Sequence, residues 1–120
     1  MDSNEIKKVL QTYFDACNEN CGDKMDSILH NAAHVYGHAE GGTLNDMDKE
    51  FFVDLIRSEQ PAEDFPRADE ILSIDFTGEN TAIARVKLRV GNTLYTDILS
   101  LIRLEGKWMI ISKLYSGQTV

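Results

Sequence analysis

The sequence predicts an α+β fold in which helices from the N-terminal half pack against an antiparallel sheet from the C-terminal half. Apolar residues recur at helical spacing near the N-terminus, whereas residue character alternates with period two after residue 67. Short connections between the C-terminal strands indicate hairpins, which build an antiparallel meander. A chain of 120 residues suits one domain with its own core, so residues 1–120 are expected to form a single domain.

Two helices are predicted near the N-terminus. The first begins at Ser3 or Asn4, because either side chain can accept a hydrogen bond from a free backbone N–H. Apolar residues at helical spacing extend this helix to about Cys17. After a polar break, Asp23 is expected to cap a short second helix that ends near His30.

One strand, one helix and one loop are predicted in the middle of the chain. Residues 33–39 alternate with period two, which is typical of a strand, and residues 40–42 form a turn. Asn45 or Asp46 is expected to start the third helix, which stops before Pro61. Residues 60–66 contain both prolines and are predicted to be a loop.

The C-terminal part is predicted to be a meander of strands at residues 71–76, 81–90, 94–104 and 108–115. Two-residue turns at 91–92 and 105–106 would place Asp97 opposite Val86 on one side and Leu114 on the other. A bulge in either hairpin would turn Asp97 to the other face.

The two faces of this meander differ in composition. The face that carries Asp97 is mostly apolar, and we expect it to be concave and to lie against the helices. Its residues are Ala82, Ala84, Val86, Leu88, Val90, Tyr95, Asp97, Leu99, Leu101, Trp108, Ile110, Ser112 and Leu114. The opposite face, which includes Lys113 and Tyr115, has an apolar centre of Ile98, Ile102, Met109 and Ile111. Such a patch usually marks an interface, so a homodimer through this sheet face is expected.

Asp97 is unusual because it is a carboxylate on an apolar face. An unpaired buried charge is very costly, so Asp97 needs a partner, a raised pKa or water. Three interpretations stay open: a polar anchor in a ligand pocket, a protonated acid that donates a hydrogen bond, or a structural carboxylate bonded to a backbone N–H, a tyrosine or a histidine. The candidate ligand-binding residues are Asp97, Tyr13, His34, Tyr36, His38, Tyr95 and Trp108. No catalytic residue is assigned.

Composition excludes several classes of function. The net charge of −8 disfavours phosphate backbones and anionic membranes, so neither nucleic acid nor a membrane is an expected partner. No apolar run reaches the ~20 residues of a membrane helix, and the acidic start is unlike a secretory signal. The predicted location is the cytoplasm, where Cys17 and Cys21 would be reduced thiols.

No metal or cofactor is expected. Histidines stand at positions 30, 34 and 38, a spacing that would align them on a helix. The predicted end of the second helix near His30 makes this spacing accidental. The sequence also lacks a Ser-His-Asp order, a phosphate-binding loop and a nucleotide fingerprint.

The order of elements resembles the nuclear-transport-factor-2-like superfamily, most closely its small bacterial "putative lumazine-binding" proteins. The residues that carry the resemblance are Tyr13-Phe14, Gly22-Asp23, Tyr36-Gly37 and residues 83–86, 95–101 and 106–113. The resemblance implies a cone-shaped fold, with a curved antiparallel sheet wrapped around N-terminal helices and an internal pocket.

The superfamily includes ketosteroid isomerases, dehydratases, polyketide cyclases and non-catalytic binding modules. Its isomerases use a tyrosine of the first helix, an aspartate base after the first strand and a buried acid in a late strand. The resemblance places Tyr13 at the tyrosine and Asp97 near the late acid. At the base position this sequence reads Gly37, with His38 beside it.

Three functions remain open at this point. The favoured one is a non-enzymatic pocket protein that binds a small apolar or aromatic ligand. The second is an isomerase, cyclase or dehydratase that uses Asp97 with a histidine or tyrosine. The third is a dimeric interaction module without a ligand.

Overall fold

A computed structural model describes residues 2–61 and 65–120 of the chain. Over these residues three α-helices and a curved, mostly antiparallel six-stranded sheet confirm the predicted α+β class. The helices are α1 (Asn4–Glu19), α2 (Gly22–Ile28) and α3 (Lys49–Ser58). The strands are β1 (Leu29–Ala39), β2 (Thr43–Asp48), β3 (Glu70–Phe76), β4 (Thr81–Val90), β5 (Thr93–Leu104) and β6 (Lys107–Thr119).

The sheet has the order β2-β1-β6-β5-β4-β3. Strands β3 to β6 form the predicted meander, and β1 joins it by pairing in parallel with β6. The buried residues of the helices and of the concave face form one hydrophobic cluster. Because β1 and β6 are neighbours in the sheet, their inward side chains can reach the same space beneath the helices.

Helix α1 is amphipathic, and one face of it is buried in the hydrophobic core. It begins at Asn4 with Ser3 at the cap position, as predicted, but the Ser3 side chain makes no cap bond. Asp2 instead accepts a hydrogen bond from the Asn4 backbone N–H at 2.8 Å. At its end Asn20 adopts the left-handed conformation, with φ of 51°. The buried residues of α1 are Ile6, Leu10, Tyr13, Phe14, Ala16 and Cys17.

The second helix and first strand follow each other without a loop. Helix α2 begins at Gly22 with Cys21 at its cap position, so Asp23 lies in the first turn and is not the cap. Strand β1 begins at Leu29, four residues before the predicted start. His30 therefore belongs to the strand.

Strand β2 was missed by the sequence analysis, which placed a helix start at Asn45 or Asp46. These residues instead pair with β1, with Tyr36 opposite Asp46. The side chain of Asp48 then caps α3 by accepting from the Phe51 backbone N–H at 2.9 Å. Backbone pairing with β1 holds β2 in place, and its mostly polar, exposed side chains show no apolar alternation. Of the predicted loop 60–66, residues 62–64 lie outside the described residues.

The register between β4 and β5 agrees with the prediction, with Val86 opposite Asp97. Between β5 and β6 the predicted pairing of Leu101 with Ile110 is also found. Beyond that pair the register shifts by one residue, and Asp97 lies opposite Tyr115 instead of Leu114.

The shift places one additional residue, Ile111, in β6 as a bulge. Because side chains alternate between faces, the bulge reverses the predicted orientation of the rest of β6. Lys113 is buried on the concave side, where it had been predicted on the outer face, and Leu114 is exposed where it had been predicted inside. Asp97 itself stays on the concave face, because its position depends on β5.

Candidate functional site

A cavity of about 190 Å³ lies between the concave face of the sheet and helices α1 and α3. Apolar and aromatic side chains form most of its wall, among them Val35, Leu88 and Phe52. Two exposed residues line its outer end: Leu55, in the last turn of α3, and Glu59, which directly follows this helix. The cavity is therefore open towards solvent at the C-terminal end of α3.

Asp97 lines this cavity and is 0% exposed. The Tyr13 hydroxyl of α1 donates a hydrogen bond to its Oδ2. The Nζ of Lys113 lies 3.9 Å from the same oxygen. The other oxygen, Oδ1, is buried and has no hydrogen-bond partner among the described residues. The structure agrees with the expectation that Asp97 is buried and has a hydrogen-bond partner, and of the partners left open it is a tyrosine.

Lys113 is the second buried charged residue in the described part of the chain, with 9% of its surface exposed. Three aromatic rings surround its Nζ, at 4.7 Å from the centre of Phe52, 5.1 Å from Tyr13 and 5.8 Å from Tyr115. These cation–π contacts and the Asp97 carboxylate compensate for the lost hydration of the ammonium. Within the described residues its N–H groups make no hydrogen bond, so they are available to a ligand.

Tyr115 forms another part of the wall. The Asn45 side-chain amide donates to the Tyr115 hydroxyl at 2.6 Å, and the Tyr95 ring meets the Tyr115 ring edge-on at 6.1 Å. Gly37 in β1 makes room for this ring, because a Cβ at position 37 would overlap it. The position at which the isomerase resemblance expects a base is thus covered by the phenol of Tyr115.

Burial controls the protonation of the groups around Asp97. It raises the pKa of Tyr13 well above 10.0, and the charge of Asp97 adds to this effect, so the phenol remains a neutral donor. Burial also raises the pKa of Cys17 to about 11, which keeps this cavity-lining thiol protonated at neutral pH. The pKa of Tyr95 is raised by burial too.

The structure brings three of the predicted site residues together at the cavity, namely Tyr13, Tyr95 and Asp97. Trp108 does not line it: this side chain is buried against the edge of Phe76, with the Arg103 guanidinium above its ring.

The predicted residues of β1 point away from the cavity. His34 is half-buried, pairs with Asp46 at 2.6 Å between Nδ1 and Oδ1, and stacks on Tyr36. His38 is exposed and borders a groove on the outer face of the sheet. The cause is the phase of β1, in which Val35 and Gly37 take the inward positions.

Lys113, Tyr115, Asn45 and Phe52 were not predicted as site residues. The first two were assigned to the wrong face by the unseen bulge, and Asn45 was assigned to a helix. One signal was available: a glycine inside a strand often marks close approach of another group, and Gly37 has that position.

Among the described residues, no three His, Cys, Asp or Glu side chains are arranged to hold a metal ion. A search of the described helices also finds none that is long and apolar enough to cross a membrane.

The family described as "Putative lumazine-binding" matches residues 1–116. The chain belongs to this family. No curated protein is significantly similar to it in sequence.

Solved structures with the same fold come from several bacteria. An NTF2-like protein of unknown function from Shewanella baltica has a TM-score of 0.88 and 24% identity, covering 98% of this chain and 94% of that one. One from Methylobacillus flagellatus has a TM-score of 0.82 and 28% identity, covering 97% and 91%. A ketosteroid isomerase-like protein from Erwinia carotovora atroseptica has a TM-score of 0.76 and 16% identity, covering 98% and 96%. The fold is therefore nuclear-transport-factor-2-like, as the resemblance implied.

Proposed function

We propose that this domain binds one small, planar, mostly apolar molecule in the cavity. The observation that carries the proposal is the buried pair of Asp97 and Lys113 within an otherwise apolar and aromatic wall. Ligand sites commonly combine apolar walls with a few convergent polar groups that orient the ligand.

The size of the cavity limits the ligand. A dry cavity of about 150 Å³ can hold one benzene molecule. The space here is about 190 Å³ and opens at one end, so it suits one ring or two fused rings. The aromatic rings of Phe52, Tyr95 and Tyr115 offer flat surfaces and edges for such a molecule. Lumazine, a flat two-ring heterocycle named in the family description, falls in this size class.

The proposal is tested in two steps. Native mass spectrometry of the purified protein would reveal a retained small molecule, and amide chemical shifts would report the binding of one- and two-ring aromatic compounds. Val90→Trp, at a half-buried lining position, is expected to fill the cavity and abolish binding while the protein remains folded. Binding that is unchanged in Val90→Trp would contradict the proposal.

An enzymatic function is the second candidate, and the bond between Tyr13 and Asp97 favours it. A neutral phenol beside a buried carboxylate and an ammonium can polarise a carbonyl group of a ligand. His34 and His38 lie outside the cavity, so this chemistry would depend on Tyr13, Asp97 and Lys113. Turnover of a bound carbonyl compound, lost in Tyr13→Phe, would favour the enzyme over the binding protein.

A homodimer through the outer sheet face is part of the proposal. Ile83, Ile98 and Leu114 remain 38%, 38% and 51% exposed there. An apolar patch of this kind is typical of an interface, and a second copy of the chain would cover it. The cavity opens on the opposite side of the sheet, so such a dimer would leave ligand access free.

A further inference from the structure

The cavity contains two polar groups whose hydrogen-bonding capacity is unused. Asp97 Oδ1 is a buried acceptor without a partner, whereas Oδ2 is bonded by Tyr13. Lys113 Nζ is a donor with no hydrogen bond among the described residues. Of these two atoms, Asp97 Oδ1 is the one that is fully shielded from solvent. One acceptor and one donor therefore belong to neighbouring side chains of the cavity wall, Nζ lying 3.9 Å from the other oxygen of the same carboxylate.

The charges of the groups around the cavity indicate which ligand charge the site favours. Asp97 and Lys113 lie 3.9 Å apart and neutralise each other, and the raised pKa of Tyr13 keeps that phenol uncharged. A further charge in the cavity would be desolvated without a counter-ion of its own. An anion would also meet Glu59 at the open end. The site therefore favours an uncharged ligand.

We propose that the ligand is a neutral cyclic amide, with its N–H donating to Asp97 and its neighbouring C=O accepting from Lys113. Such a ring carries a donor and an acceptor on adjacent atoms, which matches the adjacent acceptor and donor of the cavity. This assignment rests on the proposed binding function and adds the chemical class and orientation of the ligand. Asp97 and Lys113 then determine specificity, while the aromatic wall accepts any flat ring.

The test uses four defined probes in calorimetric titrations of the intact protein. They are 2-quinolone, N-methyl-2-quinolone, 4-methyl-2-quinolone and naphthalene. The N-methyl compound lacks the donor, and the 4-methyl compound keeps the donor with the same added bulk. We expect both N–H compounds to bind at least about tenfold more tightly than the N-methyl compound, since a site built around a hydrogen bond rejects the analogue that lacks it.

Two variants assign the preference to particular residues. In Asp97→Asn the amide oxygen can still accept from Tyr13, while the amide N–H₂ faces the ligand. The ratio of affinities for the N–H and N-methyl compounds is therefore expected to fall from about tenfold to about one. Lys113→Met removes the donor but keeps an apolar stem, so all three quinolones should weaken while naphthalene is unaffected. Asp75→Asn and Lys87→Met, on exposed strand positions, serve as matched controls and should behave as the wild type.

Folding of each variant is checked by circular dichroism, and the double variant Asp97→Asn/Lys113→Met provides a neutral pair if either single change unfolds the protein. Equal affinity of the wild type for the N–H and N-methyl compounds would overturn the amide assignment while leaving cavity binding intact. Absence of binding by all four probes, with cavity resonances unmoved, would instead count against the binding function and the amide assignment together.

Discussion

Gly37 of β1 and Tyr115 of β6 lie in contact across neighbouring strands, and the phenol of Tyr115 occupies the space that a side chain at position 37 would fill. The Tyr115 hydroxyl is held there by the Asn45 amide at 2.6 Å. The absence of a side chain on one strand thus determines the shape of the cavity wall contributed by the other.

Gly37→Ala is expected to push the Tyr115 ring out of the cavity and break its hydrogen bond to Asn45. The free energy of unfolding should fall by roughly 1–3 kcal/mol, the usual cost of overpacking. In a Tyr115→Ala background the same change should be nearly neutral, because the ring is no longer there. Urea unfolding of the four proteins measures this, and an equal loss in both backgrounds would contradict the contact.

Asp97→Ala leaves the Tyr13 hydroxyl without its acceptor and the buried Lys113 ammonium without its counter-charge. We expect unfolding to become easier by about 3 kcal/mol, since removal of one partner of a buried pair leaves the other uncompensated. Asp97→Asn retains an acceptor for Tyr13 and should lose less. Asp75→Ala on exposed β3 is the control. If ligand affinity falls while stability is unchanged, Asp97 is an anchor without a structural role.

Stability should decline at alkaline pH because of Cys17. Its folded-state pKa is raised from 9.0 to about 11, so its contribution is complete below pH 9 and is lost as pH rises towards 11. Two pKa units correspond to about 2–3 kcal/mol. The raised pKa of Tyr13 acts in the same direction from about pH 10 upward.

Urea unfolding between pH 8 and 11 measures this decline. Cys17→Ala should have a flatter profile than the wild type, whatever its baseline stability. Parallel profiles for the two proteins would show that the Cys17 thiol does not titrate between those limits.

Substitutions on the outer sheet face should change the state of assembly. Ile98→Glu and Leu114→Glu each place a charge at an exposed apolar position, and a dimer that covers this face should dissociate. Sedimentation velocity at micromolar concentration measures the change, with Asn92→Glu in the exposed turn between β4 and β5 as the control. A wild-type protein that already sediments as a monomer would rule out the dimer.

Much of the fold follows from residue patterns that are local in the sequence, and these parts could be predicted from the sequence alone. Apolar spacing predicts α1, and β-hairpin turn chemistry predicts β4 and its register with β5, with Val86 opposite Asp97. The inward position of Asp97 follows from that register alone. Strand β2 is different, since its pairing with β1 is made by the backbone and its exposed side chains carry no periodic signal.

The sequence by itself determined the α+β class, the meander and the placement of a carboxylate on the concave face. The tertiary structure decided which groups surround that carboxylate. A single bulge at Ile111 turns Lys113 and Tyr115 inward, and the phase of β1 turns His34 and His38 outward. Strand alternation has a period of two, so one inserted residue exchanges the faces of everything beyond it. The bulged strand β6 also pairs with β1, which is distant in sequence, and the local residue pattern does not report that pairing.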